Sequence, residues 1–240
     1  MTLPSFSQSG KVALVTGSRR GLGRAMALAF AEAGADLVIS DMVVDDGLLE
    51  ATANDIREFG SRVLVSPADV TDQAQVEQMV KSTIDEFGRI DILVNNAGIS
   101  DRQVGSSGSG VNAFGESGNF YKVYDVTVKG TSLCTAAAAP TMVAQKSGCI
   151  INLSSMGAFL KRGWSAYSLA KSAIVDVTKG MATEYGPHNV RVNAIAPGVI
   201  RTDMTAPQLQ FPEVVEFYEK MTPLGRLGEP EDIANAALLL

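Results

Sequence analysis

Short runs of β-branched residues alternate with longer amphipathic stretches along this chain, and that alternation limits its fold more than any other feature. Residues 12–15, 37–40, 62–66, 92–95, 149–153 and 190–195 read as strands that are apolar almost throughout. Such runs suit strands covered on both faces. Between them lie helical stretches, as at residues 21–34, 45–59 and 73–87. In the last of these Val76, Met79, Val80, Ile84 and Phe87 fall on one face before Gly88 closes it. A further long helix is expected over residues 120–145, kinked at Pro140, and another over 166–185. Short helices near 213–220 and opening around Pro230 complete the pattern. Repeated strand–helix–strand units imply an α/β fold with a doubly wound parallel sheet layered between helices.

Composition narrows the possible partners. A length of 240 residues suits one domain that both binds a ligand and carries the chemistry, with no need of a disulfide or metal staple. The formal charge of −6 argues against a nucleic-acid backbone as partner. A single histidine, His188, excludes a metal site built on histidine pairs, and it reads as a surface turn residue. Cys134 and Cys149 sit in apolar segments without a CxxC pair, which favours reduced thiols and a cytoplasmic location. No apolar run is long enough to span a membrane.

The chemistry begins at Thr16-Gly17-Ser18-Arg19-Arg20-Gly21-Leu22-Gly23, which joins the first strand to the first helix. Glycines there let backbone amides approach a pyrophosphate, whose charge the helix N-terminus stabilises. The spacing is Gly-x-x-x-Gly-x-Gly. Asp41 ends the second strand, where a carboxylate can accept ribose hydroxyls and would repel a 2′-phosphate. Arg20 argues the other way, since a guanidinium beside the turn can pair with that phosphate. NAD is the expected cofactor, with NADP as the alternative.

A second constellation lies downstream. Tyr167 and Lys171 are spaced i and i+4 on one helix, so they share a face. Free tyrosine, with a pKa of about 10, is a poor base near neutrality, and an adjacent ammonium can lower it by about 1–3 units. Ser154 and Ser155 end the preceding strand, where a hydroxyl can hydrogen-bond a substrate oxygen.

These segments, together with Asp69-Val70, Asn95-Asn96-Ala97-Gly98 and Pro197-Gly198 followed by Thr202, resemble the short-chain dehydrogenase/reductase family over nearly the whole chain. The resemblance implies hydride transfer between a secondary alcohol and a ketone, on a sugar acid, polyol or 3-oxoacyl substrate. It implies Tyr167 as acid/base, Ser155 orienting the carbonyl, and Lys171 holding the nicotinamide ribose while depressing the tyrosine. Cofactor contacts would come from Gly17, Ser18, Arg20, Gly21, Leu22, Gly23 and Asp41, with Asp69 and Val70 at the adenine. Asn95, Ala97 and Gly98 would support the cofactor strand, and Pro197, Gly198, Val199 and Thr202 would approach the carboxamide. A homo-oligomer, dimer or tetramer, is also implied.

Two departures from the family pattern stand out. Val126-Thr127-Val128-Lys129-Gly130 places Thr127 where the family has an asparagine that holds a relay water. The final edge strand of the family is also expected to be absent. Together they motivate a rival reading, a dinucleotide-binding scaffold or redox sensor that has lost turnover. Residues 101–118, with Phe114, and residues 202–218, with Met204, Phe211 and Phe217, are expected to form mobile walls of the substrate pocket. Phe159 and Trp164 flank the catalytic loop, while Arg102, Lys161, Arg162 and Arg201 are candidate partners of a substrate carboxylate.

Overall fold

A computed structural model describes residues 6–100, 119–160 and 165–240. The expectations for Arg102, Phe114, Lys161, Arg162, Trp164 and the wall at 101–118 therefore lie outside the described residues.

Six parallel strands form one sheet in the order β3-β2-β1-β4-β5-β6. They are β1 (Val12–Thr16), β2 (Asp36–Ser40), β3 (Val63–Val65), β4 (Ile92–Asn95), β5 (Gly148–Leu153) and β6 (Val190–Ile195). The order reverses between β1 and β4, so a crevice opens at their C-terminal ends, where ligands of such sheets bind. β3 and β6 are the two outer strands among the described residues. In β6, Val190 and Val192 are buried while Arg191 and Ala194 are exposed.

Successive residues of each strand face opposite layers. Ala13 and Val15 join Leu37, Ile39, Val94 and Ile151 under α1 (Gly21–Glu32), α2 (Leu48–Glu58) and α9 (Pro230–Leu239), with Met26, Phe30 and Ile56 filling that layer. Val12 and Leu14 join Val38, Leu93 and Ile150 on the other side, under Val76 and Met79 of α3 (Gln73–Phe87) and Met142 of α5 (Gly130–Gln145). Each such side chain contributes about 1.5–3 kcal/mol on burial. The same alternation that buries both faces thus holds β1 at the centre.

The expected helix over 120–145 is two helices. α4 (Asn119–Tyr124) passes into a π turn (Asp125–Lys129) before α5 begins. The irregularity sits at this turn, and α5 runs through Pro140. A π turn weakens the regular ladder. Here hydroxyls one turn ahead offset the loss, since Thr131 Oγ1 donates to the Thr127 carbonyl at 2.7 Å and Ser132 Oγ donates to that of Val128 at 2.9 Å. The wide turn rolls Thr127 and Val128 into the interior.

α6 (Ala166–Tyr185) opens on Ser165, whose side chain accepts from the Ser168 amide, and packs Ala166, Ala170 and Ile174 against Val123 and Val128. Residues 202–218 hold α7 (Ala206–Leu209) and most of α8 (Pro212–Met221), neither with a buried residue. Among the described residues no helix is long and apolar enough to cross a membrane.

Candidate active site

The glycine turn is shaped by close approach. Gly17 and Gly21 have φ of +64° and +57°, in the left-handed region that favours glycine. A Cβ on Gly23 would stand 2.1 Å from the Gly17 carbonyl oxygen, so only hydrogen fits. Thr16, the last residue of β1, and Asn96, just beyond β4, brace the turn. Thr16 Oγ1 accepts from the amides of Asn96 and Ala97 at 3.1 Å, and Asn96 Nδ2 donates to the carbonyls of Thr16 and Gly17 at 2.9 Å. Neither residue was singled out from sequence, although Asn96 stands inside the quoted Asn-Asn-Ala-Gly segment.

Other positions around the turn divide by role. The Ser18 hydroxyl is committed to β2, donating to the Ser40 carbonyl at 3.2 Å and accepting its amide at 2.9 Å. Leu22 packs on the core of the α1 layer. Thr202 reaches the turn from beyond β6, 3.8 Å from where a Cβ on Gly21 would be. The N-cap of α1, Arg20, makes no side-chain cap, and the first helical turn carries no acidic residue. Its outward amides are therefore suited to a bound phosphate, and the cradle fits a dinucleotide.

The basic residue beside Asp41 is Arg19, whereas the guanidinium considered from sequence as a phosphate partner was that of Arg20. Arg19 Nε lies 3.6 Å from Asp41 Oδ1, and its other end pairs with Asp46, leaving the side chain only 11% exposed. Arg20 points instead to Asp203 at 3.6 Å and is 44% exposed. Adjacent residues of an extended turn project oppositely, so charge alone could not tell them apart.

Asp69 turns its carboxylate onto the amide and hydroxyl of Thr71. Val70 is buried against Gly130, whose added Cβ would meet Val70 Cγ2 at 2.7 Å. Asn95 points into the protein, donating to Thr135 Oγ1 and Asn152 Oδ1. Pro197 accepts the Met156 amide at 2.9 Å, and Gly198 lies against Met156 Sδ, so the β6 loop is fastened to the turn after β5. Val199 accepts the Gly228 amide through its carbonyl.

The residues expected to transfer protons lie near the ends of β4 and β5. Ser155 follows β5 in an extended conformation, its Oγ accepting the Gly157 amide at 3.1 Å. A Cβ on Gly157 would meet Ser155 Oγ at 3.4 Å and Tyr167 Cε1 at 4.0 Å, so the two face one gap across a residue without a side chain. Lys171 Nζ lies 5.7 Å from the Tyr167 ring centre. It donates to the Leu153 carbonyl at 2.6 Å. Burial brings its pKa down to about 8, because the charged form loses its hydration. From Gly98, where a Cβ would sit, Lys171 Nζ is 3.5 Å away and Thr127 Oγ1 3.7 Å. Thr127 Oγ1 is buried and has no hydrogen-bond partner among the described residues.

Cys134 and Cys149 are buried and free, the Cys134 thiol pushed up to about 12 by burial. Among the described residues there is no group of His, Cys, Asp or Glu that would hold a metal. A groove between α1 and α9, lined by Arg24, Leu28, Arg201 and Glu231, opens beside Gly21 but contains none of Ser155, Tyr167 or Lys171.

Comparisons with known proteins identify the family. The model of a family described as enoyl-(acyl carrier protein) reductase matches residues 17–240. The chain is 42% identical over 231 residues to the (2S)-[(R)-hydroxy(phenyl)methyl]succinyl-CoA dehydrogenase subunit of Thauera aromatica, spanning 96% of this chain and 88% of that one. It is 37% identical over 237 residues to a 3-oxoacyl-(acyl-carrier-protein) reductase of Synechocystis, covering 97% and 89%. A solved short-chain type dehydrogenase/reductase from Mycobacterium marinum superposes with a TM-score of 0.87 at 36% identity, over 98% of this chain and 90% of that one. Similarity to such enzymes along nearly its whole length places the chain in the short-chain dehydrogenase/reductase family of NAD(P)-dependent oxidoreductases, which interconvert alcohols and ketones.

Proposed function

We propose that Tyr167, Ser155 and Lys171 make this chain a reversible ketone reductase whose substrate carries an apolar body beside the carbonyl. The observation that carries the chemistry is the buried Lys171 ammonium beside the Tyr167 ring, with Ser155 across the Gly157 gap. The carbonyl carbon receives hydride from the dinucleotide, which is the chemistry that group supplies when bound. Tyr167 donates its phenolic proton to the carbonyl oxygen as negative charge develops there. Ser155 holds the same oxygen in place by a hydrogen bond. Lys171 holds the phenolate that results. In oxidation the proton returns to Tyr167.

Apolar groups near the crevice support the substrate class. Phe159 is 65% exposed, Phe211 47% and Met204 39%, and they stand beyond the ends of β5 and β6. Exposed aromatics at a crevice fit an apolar ligand better than a polyol. A screen of NADH oxidation with 3-oxoacyl thioesters, cyclic ketones and keto-sugar acids tests this. Turnover of the first two classes is expected, and turnover of keto-sugar acids alone would overturn it.

For the cofactor, Asp41 supports NAD, and Arg19 is the group that would meet a 2′-phosphate once Asp41 is neutral. Asp41→Ala is expected to raise kcat/KM with NADPH at least tenfold, equivalent to about 1.4 kcal/mol. Adding Arg19→Ala should remove that gain, and adding Arg20→Ala should leave it. A gain that depends on Arg20 instead would refute the assignment.

Thr127 supports a relay reading over the impaired scaffold. Its buried hydroxyl, without a partner among the described residues, faces Gly98 as the Lys171 ammonium does, and a water bridging the two would carry protons to the Tyr167 pair. Thr127→Val keeps the shape and removes only the hydroxyl. Turnover is expected to fall about tenfold, with thermal stability unchanged or raised because no protein hydrogen bond is lost. Unchanged turnover would exclude the relay.

A further inference from the structure

Three consecutive residues of the β5 end grip the same helix. Asn152 Nδ2 donates to Thr178 Oγ1 at 3.0 Å, the Leu153 carbonyl accepts Lys171 Nζ at 2.6 Å, and Ser154 Oγ donates to the Lys171 carbonyl at 2.8 Å. Lys171 is therefore held at two points by adjacent residues, the ammonium by Leu153 at the end of β5 and the main chain by Ser154 just after it. We propose that Ser154, which touches no reacting atom, is a positioning residue that sets where the Lys171 ammonium stands against Tyr167.

The reason is mechanical. A lysine ammonium rides on four flexible methylenes, so one hydrogen bond at its tip leaves its height above the tyrosine free to vary. Fixing the Lys171 carbonyl removes that freedom, because the root and the tip of the side chain are then tied to the same strand end. Ser154 is itself well placed for this. It is 3% exposed, and its amide donates to the Ile195 carbonyl at 2.8 Å, so it sits in the ladder with β6 and cannot follow the helix. The third contact, at Thr178, lies two helical turns further along α6 and anchors the helix without touching Lys171.

The inference rests on the acid/base role given to Tyr167, and the test separates the two. The ionisation of Tyr167 is read from phenolate absorbance as the difference between the protein and its Tyr167→Phe variant, with dinucleotide bound. Titratable groups on the elements packed there are Tyr121, Lys122 and Tyr124 of α4, Asp125 and Lys129 of the π turn, and Asp176, Lys179, Glu184 and Tyr185 of α6, all reached by solvent. The difference spectrum cancels those that titrate identically in both proteins.

The expected result is a Tyr167 midpoint below the ordinary value of about 10 in the parent protein. Ser154→Ala should raise it by about 0.5–1 unit, and Thr178→Val should leave it in place although it loosens the same helix. Should Ser154→Ala not fold, Ser154→Cys, with a weaker donor of similar size, is expected to give a smaller rise. A parent midpoint already at about 10 would overturn the acid/base reading and this proposal with it. A depressed parent midpoint unmoved by Ser154→Ala, or moved as much by Thr178→Val, would overturn the role of Ser154 alone.

Discussion

Lys171→Met is expected to stabilise the protein by about 1–3 kcal/mol at pH 7 while cutting turnover by a hundredfold to ten-thousandfold. The pKa of Lys171 stands at about 8 against an ordinary 10.5, with burial as its cause. Each unit of that difference is about 1.4 kcal/mol, so holding the charge in the folded state costs about 3 kcal/mol. The hydrogen bond to Leu153 that methionine cannot make returns about 1 kcal/mol of this. The sign follows from proton linkage. Between pH 8 and 10.5 the unfolded chain keeps its proton on Lys171 and the folded chain releases it. Folding of the parent protein without cofactor therefore gains stability as pH rises through that window. The penalty is complete below it. The advantage of Lys171→Met should be full at pH 7 and nearly gone by about pH 10.5. Urea unfolding at the two pH values measures both, and a variant less stable than the parent at pH 7 would contradict the assignment. Tyr167→Phe should lose turnover comparably without this pH-dependent gain, because no buried charge is removed.

Gly23→Ala is expected to weaken dinucleotide binding at least a hundredfold and to cost about 1–3 kcal/mol of stability. The added methyl would stand 2.1 Å from the Gly17 carbonyl oxygen and 2.5 Å from Asn96 Nδ2. The first neighbour is backbone and the second braces that backbone, so relief requires the turn itself to open. Opening it moves the amides that would meet the pyrophosphate. Gly180→Ala is the matched control, since a Cβ there, within α6, meets nothing within 4 Å. It should gain about 0.5–1 kcal/mol and bind dinucleotide as the parent does. Equal binding by Gly23→Ala and the parent, followed by quenching of protein fluorescence, would show that the turn is not the cradle.

What the sequence by itself determined are properties carried by neighbours along the chain. Leu14 and Val15 alternate between layers because successive strand residues point oppositely, and Val76, Met79 and Val80 share a face because a helix repeats every 3.6 residues. The glycine spacing, the Tyr167–Lys171 pair and the serines after β5 are equally local, so the parallel sheet and the elements that carry these residues could be read in advance. Tertiary structure alone decided which of two adjacent arginines faces Asp41, because that depends on where β2 ends relative to the turn, two segments about twenty residues apart. It alone placed the irregularity of the long helix at Thr127 rather than Pro140, through hydroxyls that satisfy the π turn and through burial against α6. Asn96 under the glycine turn and Ser154 on the Lys171 carbonyl were hidden for the same reason. Periodicity reports which face a residue occupies, whereas a hydrogen bond across 17 or 79 positions exists only once packing has set the distance between its partners.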